Sequence, residues 1–368
     1  MRLSELLHWI GRLSLVVGGA FLLDFCLPPY MWGWDVHDLI YQRRPPQQPD
    51  THIVIVDIGR MERPALAALI SRLATAKPAF IGIDAIFPSL LSPEGDSIWQ
   101  QALCSTATHI PLCIAGGLNL HYPLEKAPPQ AMSNSLFTRC AEQAYANLIL
   151  HEPYAPKTVR EFLPYTVVGK DTHFSFGLRA ALAIDPSLRA ELPRWKGKCP
   201  INYLGNLEHF YYLSGEEVLR DTLPLEWLKN KTLLLGVADP LRLSMEDIFF
   251  SPLNPHFLRQ SFPDMYGVVI HANIASMLHH RSTFRHLPAL WTGVLLGLFY
   301  AFLSLIAKAL PAGFPRWGGI RLLQVAGLFG AVELTLRLGT EGYWFVVEPL
   351  LWGILLGGEI ELWRGRKP

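Results

Sequence analysis

Apolar positions fall into three patterns along the chain. The first is a continuous run. Trp9–Leu27 is apolar except for Arg12, Asp24 and small or hydroxylic residues. Leu287–Ile306, Ile320–Leu338 and Tyr343–Leu362 repeat this pattern near the other end. Each is long enough to cross about 30 Å of hydrocarbon as a helix. Glu333 and Arg337 weaken the third run, and Glu348 with Pro349 interrupts the fourth. Pro28 and Pro29 follow the first run in place of a small-residue cleavage site, so it reads as an uncleaved anchor.

The second pattern is the short β-branched run. "HIVIVDIG" predicts a buried strand ending at Asp57, and "AFIGIDAIF" a second with Asp84 near its end. "IPLCIAG", "ANLIL", "PINYLG" and "KTLLLGV" predict four more, and "TVREFLPYTVV" a strand or hairpin arm. The third pattern is helical spacing, in "RPALAALISRLATA", "DSIWQQALCSTA", "HFSFGLRAALAI" and "MYGVVIHANIASMLHH". Strand and helix alternate at the start as β-α-β-α-β, which implies a mostly parallel sheet with right-handed crossovers. The fold class is therefore an α/β domain, its sheet flanked by helices, inserted between one N-terminal and three C-terminal transmembrane helices. The predicted divisions are an anchor at 1–34, the α/β domain at 35–286, and three spans with a short tail at 287–368.

Basic residues set the orientation. Arg2 and Arg12, then Lys308, Arg316 and Arg321, then Arg364, Arg366 and Lys367 fall on one side of four crossings. That side is cytoplasmic by the positive-inside rule, which makes 35–286 extracytoplasmic. The expected place is a bacterial-type inner membrane, and the lipid bilayer is the first partner.

Composition narrows the function. Of 368 residues half are hydrophobic and 17% charged, with a net charge of +1. No basic patch with interleaved aromatics stands out, so nucleic acid is not an expected partner. No Gly-rich phosphate loop, serine elbow, HExxH or CxxC pair occurs, so no catalytic residue, metal ligand or cofactor is assigned and an enzyme is not expected. Cys104, Cys113, Cys140 and Cys199 stand in the extracytoplasmic part, where disulfides persist; they allow three pairings, or remain buried thiols.

Several stretches together resemble the type-two CHASE domain family, extracellular sensory domains associated with cyclases and histidine kinases. They are "IVIVDIG" with "IGIDAIFP", "ANLILHEPYAPKTVREFLP", "INYLG", "LPLEWLKNKTLLLGVAD", "EDIFFSPL" and "MYGVVIHANIASMLHH" ahead of a span. Arg160 matches the family's arginine. The acidic motif that precedes this arginine in the family is "HEPYAPKTV" here, and after the fourth run comes "RGRKP" where the family usually carries an output module. The resemblance implies a sensory role, and a fixed structural role for His271 and Asn273.

Candidate residues follow from position. Asp57 and Asp84 end strands of a parallel sheet, where ligand sites gather; each either contacts a ligand or caps the turn that follows. Arg160 either clamps a ligand carboxylate or ties loops together. Asp247, which introduces "IFFSPL", joins His271 and Asn273 as a structural or coupling residue. His279 and His280 with Arg281 and Arg285 stand at the membrane junction. Asp24, Glu333, Arg337 and Glu348 form an intramembrane polar layer, in which either Arg337 binds Glu333 and one of the other two carboxylates, or Arg337 snorkels to the headgroups and Asp24 sits at the interface. Two functions fit. One is a sensor that binds a ligand or partner and signals through the last soluble helix to a separate membrane or cytoplasmic protein. The other is a non-enzymatic subunit of a secretion or conjugation machine. Homo- or hetero-oligomers suit either.

Overall fold

A computed structural model describes residues 3–26, 35–118, 129–149, 158–168, 170–221, 223–241, 245–254 and 262–364. Arg2, Arg366, Lys367 and the segment "HEPYAPK" lie outside the described residues. The chain divides into two units. One holds the residues up to Arg44 and from Phe284 onward; the other runs from Pro45 to Thr283.

The first unit begins with α1 (Leu3–Cys26) and α2 (Asp38–Arg43). Residues 35–44, read from sequence with the α/β domain, belong to this helical unit. Their anchor is Ile40, fully buried and packed so close to Gly339 that a Cβ there would lie 2.2 Å from Ile40 Cδ1.

The second unit opens with β1 (Asp50–Asp57), α3 (Arg63–Thr75), β2 (Phe80–Ile83), α4 (Pro93–Ala107) and β3 (Leu112–Leu118). Then come β4 (Pro129–Ala131), α5 (Ser135–Thr138) and β5 (Glu142–Tyr145). Four short strands form two antiparallel ladders: β6 (Glu161–Phe162) with β9 (Cys199–Pro200), and β7 (Tyr165–Val168) with β8 (Asp171–Phe174). Helix α6 (Phe176–Ile184) follows β8. After β9 come β10 (Phe210–Ser214), α7 (Gly215–Leu219), β11 (Thr232–Gly236), the antiparallel pair β12 (Ile248–Phe249) and β13 (Met265–Tyr266), and α8 (Gly267–His279). The main sheet has seven strands in the order β10-β1-β11-β2-β3-β4, with β5 beside β3; all its pairings are parallel except β3 with β4. Helices α3 and α4 pack together, as do α6 and α8.

The α/β class and its mostly parallel sheet match the reading from sequence. Four details differ. The strand expected at "ANLIL" lies earlier, at Glu142–Tyr145. "PINYLG" contributes only its first residue to β9. Strand β10, "FYYLS", is additional. Most consequential, β11 enters between β1 and β2, so the strands ending near Asp57 and Asp84 are not neighbours. Glycine permits one close approach over β11: a Cβ on Gly236 would lie 2.7 Å from Val268 Cβ, so α8 seats directly on the strand end.

The helical unit resumes with β14 (Arg285–His286), α9 (Ala289–Ala309), α10 (Phe314–Thr340), β15 (Tyr343–Trp344) and α11 (Glu348–Arg364); β14 and β15 pair in parallel. Helices α1, α9 and α10 are long and apolar enough to cross a membrane. Helix α11 has 17 residues, about 26 Å at 1.5 Å per residue. It packs against the other three. Large apolar side chains face outward, among them Leu15, Phe302 and Phe329, whereas Tyr300, Gln324 and Glu361 are buried between helices. This inside-out distribution suits a lipid surround.

Candidate functional site

At the carboxyl end of the sheet in the α/β unit, Asp57 is held by backbone. Its Oδ1 accepts from Gly59 N and Ala238 N, each at 3.0 Å, and the Tyr212 hydroxyl faces the same carboxylate. Asp57 thus ties the β1 turn to the chain leaving β11.

Asp84 behaves differently. Its amide donates to Leu235 O at 2.7 Å, which fixes the backbone, while the side chain turns towards α8 and is only 8% exposed. Its Oδ2 lies 3.9 Å from His271 Nε2. Asp247 enters the same cluster from the loop before β12. It is an exposed residue with positive φ, yet its carboxylate covers the first residue of α8: a Cβ on Gly267 would lie 2.5 Å from Asp247 Oδ2. The Asp247 carbonyl accepts from Gly267 N at 2.9 Å. Three residues distant in sequence, Asp84, Asp247 and His271, so form one cluster at the start of α8.

The cluster's electrostatics follow from burial. Burial pushes the Asp84 carboxyl up to about 7. Packing and then the charge of Asp84 push Asp247 up to about 7, against a smaller opposing pull from His271. Burial drives His271 down to about 4, so the ring is neutral near pH 7. Phe176 packs edge-on to that ring at 5.2 Å, and no hydrogen bond of ordinary geometry reaches Nδ1. Two carboxyls sharing protons near neutrality are coupled, and their titration belongs to the pair.

Asn273 is a fastener. Its Oδ1 accepts from Leu204 N at 2.7 Å and Gly205 N at 3.2 Å; its Nδ2 donates to Gly205 O and Val269 O, each at 2.9 Å. The "INYLG" loop is thereby fixed to α8. Arg160 stands beside β6, outside the main sheet; it is buried, and its carbonyl accepts from Ile201 N at 2.8 Å.

The loop that starts at Asp84 continues into the wall of an open, mainly apolar cavity of about 1000 Å³. Met61, Arg63, Ile86, Phe87, Leu91 and Ile98 line it. Arg63 is neutralised by Asp96, and its Nη2 donates to Ser89 O. The loop therefore presents Asp84 to α8 and Ile86–Phe87 to the cavity.

In the helical unit, a second cluster joins Asp35, His37 and Glu348. His37 Nδ1 donates to Asp35 Oδ1 at 2.6 Å and lies 3.5 Å from Glu348 Oε1; Nε2 donates to Phe345 O at 2.8 Å. The ring stacks on Trp344 at 4.0 Å. One imidazole and two carboxylates within reach of one another are a possible metal set. The geometry argues otherwise: a carbonyl and a carboxylate only accept, so both ring nitrogens donate and neither lone pair is free for a cation. Burial opposes the charge on His37, but Asp35, then Glu348 and the Phe345 carbonyl, overcome it and raise the group to about 9.

The expected intramembrane layer is rearranged. Arg337 Nε bonds Glu333 Oε1 at 2.8 Å, but the second partner of Glu333 is Arg43 on α2. Glu348 instead faces His37. Sequence reading missed the cluster at the other end of these helices. There Glu361, 2% exposed, accepts from the Tyr300 hydroxyl at 2.9 Å and Arg364 at 3.2 Å, with Arg12 at 3.5 Å. Its only sequence signal was an acid within the last apolar run.

The cysteines resolve as one disulfide, Cys104–Cys140, with Cys26, Cys113 and Cys199 free. The sequence profile of the CHASE2 domain matches residues 13–307. No curated protein and no solved structure matches the chain.

Proposed function

The chain belongs to the CHASE2 domain family, a family of sensory extracellular domains, and from that premise we propose that it is a four-crossing protein of a bacterial-type inner membrane whose α/β unit senses outside the cytoplasm and signals to a separate protein. Four crossings agree with a bundle in which Arg12, Arg364 and Glu361 mark one end and Thr292, His37 and Phe345 the other. An extracytoplasmic α/β unit agrees with its disulfide, since such bonds persist in oxidising compartments.

The observation that carries the reading is the path of α8. Its first turn holds the Asp84–Asp247–His271 cluster, and the chain leaving its last turn enters β14 and then α9. A small apolar ligand in the cavity walled by Ile86 and Phe87 displaces the loop that bears Asp84. That changes how Asp84 and Asp247 share protons over the start of α8. The shift passes along the helix to β14, which is paired with β15, the strand that carries the stacking partner of His37.

The test is amide hydrogen exchange on the full chain in lipid nanodiscs. Asp84→Asn with Asp247→Asn is expected to alter protection in β14 and β15 as well as in α8. Changes confined to Pro45–Thr283 would remove the coupling.

A further inference from the structure

Three imidazoles meet at the opposite end of α8 from the acidic cluster. His279 is the last residue of that helix and His280 its cap; His52 comes from the start of β1. Their ring centroids are 5.0 Å apart for His52–His279, 4.8 Å for His279–His280 and 6.4 Å for His52–His280. Imidazole nitrogens bind zinc at about 2.0–2.1 Å, which places a ring centroid about 3.2 Å from the metal and two tetrahedral ligands about 5.2 Å apart, centroid to centroid. The observed spacings bracket that value. A half-turn of the His52 or His279 ring about χ2 exchanges its edges and leaves its centroid nearly in place, so either ring can offer Nδ1 or Nε2 to the site.

Behind the rings stands a built support. The Asp50 side chain is fully buried, and its Oδ2 lies 3.2 Å from His280 Nε2 and accepts from Ser276 Oγ at 2.6 Å. Its Oδ1 accepts from His52 N at 2.7 Å and Ile53 N at 3.3 Å. This carboxylate engages His280 through Nε2 and leaves Nδ1 as the nitrogen for a metal, the arrangement in which a metal-bound histidine donates its other N–H to a carboxylate. His279 Nδ1 is buried without a hydrogen-bond partner. The carbonyl end of α8 adds a favourable field for a cation. Arg281, the nearest competing cation in sequence, is engaged by Asp185 and Glu191.

We propose that His52, His279 and His280 bind a divalent transition metal of the zinc class, with Asp50 as the orienting carboxylate and solvent at the fourth position. Three imidazoles select such an ion over calcium or magnesium, which take oxygen ligands. The site joins the start of β1 to the last turn of α8, so an ion there pins the helix end that leads to β14. That consequence, unlike the site itself, rests on the sensory reading above.

The experiment uses the full chain in detergent, purified without a histidine tag, and titrated with zinc chloride by calorimetry. One zinc per chain is expected. The double variant His52→Ala, His279→Ala should lose binding by at least about 100-fold, and Asp50→Asn by about 10- to 100-fold. Cobalt in place of zinc should give the intense visible absorption of a tetrahedral site, absent in the double variant. His37→Gln should leave both readings unchanged. Absence of zinc binding, or undiminished binding by the double variant, overturns the site, as does loss of binding in His37→Gln alone. Because His52 is exposed, His52→Ala decides the matter even if Asp50→Asn fails to fold. Zinc that binds yet leaves β14 exchange unaltered keeps the site and overturns its part in sensing.

Discussion

His271 Nε2 stands 3.9 Å from Asp84 Oδ2, too far to hydrogen bond and close enough for a charge on either to act on the other. The relationship is electrostatic, and protonation decides whether either group carries a charge. Folding raises Asp84 from 3.8 to about 7 and Asp247 likewise, so the folded unit holds protons that the unfolded chain has released. Their contribution to stability therefore falls as pH rises from about 4 to about 7. His271 runs the other way. Its folded value of about 4 lies below 6.5, so its contribution grows with pH across that interval. Two carboxyls oppose one imidazole.

The expected outcome is a pH-dependent gap between the wild-type chain and the double variant Asp84→Asn, Asp247→Asn. The amides imitate the protonated pair, so the variant should gain melting temperature relative to wild type on going from pH 5 to pH 8. Scanning calorimetry at those two pH values measures it. A constant gap would mean that neither carboxyl titrates there.

His37, in the helical unit, makes the opposite test. Its folded value of about 9 exceeds the unfolded 6.5, so its stabilisation is complete below pH 6.5 and lost as pH climbs through about 9. Raising pH from 7 to 10 should lower the melting temperature of the full chain in nanodiscs and alter the fluorescence of Trp344, on which the ring stacks. His37→Gln should abolish the step and cost about 1–3 kcal/mol at pH 7, the range for losing hydrogen bonds to a charged group. A step that survives the substitution assigns it elsewhere.

Cys104 and Cys140 close a loop with a sequence separation of 36. The chain-entropy relation gives about 4 kcal/mol for a loop of that size. Reduction, or Cys104→Ser with Cys140→Ser, should lower the stability of the α/β unit by about 2–4 kcal/mol in denaturant titrations followed by tryptophan fluorescence. An unchanged midpoint would show that these thiols are unpaired in the native protein.

Periodicity revealed the elements whose cause is local. "HIVIVDIG" and "AFIGIDAIF" are apolar because both faces of a parallel strand are covered, and β1 and β2 lie where those runs predict. What periodicity cannot carry is adjacency. Strand β11 inserts between β1 and β2 from far along the chain, which separates Asp57 from the neighbour expected for it and leaves Asp84 to Asp247 and His271. Strand β10 was hidden because "FYYLS" is short and its second residue, Tyr211, is exposed. Among the membrane charges, the pairing of Glu333 with Arg337 follows from their four-residue spacing. The role of Arg43 does not, because the turn that brings α2 against α10 depends on Ile40 packing at Gly339.

Glu361 offers the sharpest test of the bundle. It is buried among Tyr300, Arg12 and Arg364, whose side chains come from three different helices. A carboxylate removed from water is tolerated only while its partners compensate it. Arg12→Ala with Arg364→Ala removes both cations, leaves the acid buried beside one hydroxyl, and should cost about 3–5 kcal/mol. Adding Glu361→Gln to that pair discharges the stranded group. It should recover a large part of the loss, although it restores none of the deleted contacts. Thermal unfolding of the three proteins in the same detergent measures both steps. If the double variant melts with the wild type, Glu361 is solvated or protonated and does not hold α1, α9 and α11 together. If the double variant is weakened and the triple is no better, the arginines act through packing of their aliphatic stems instead of through their charge.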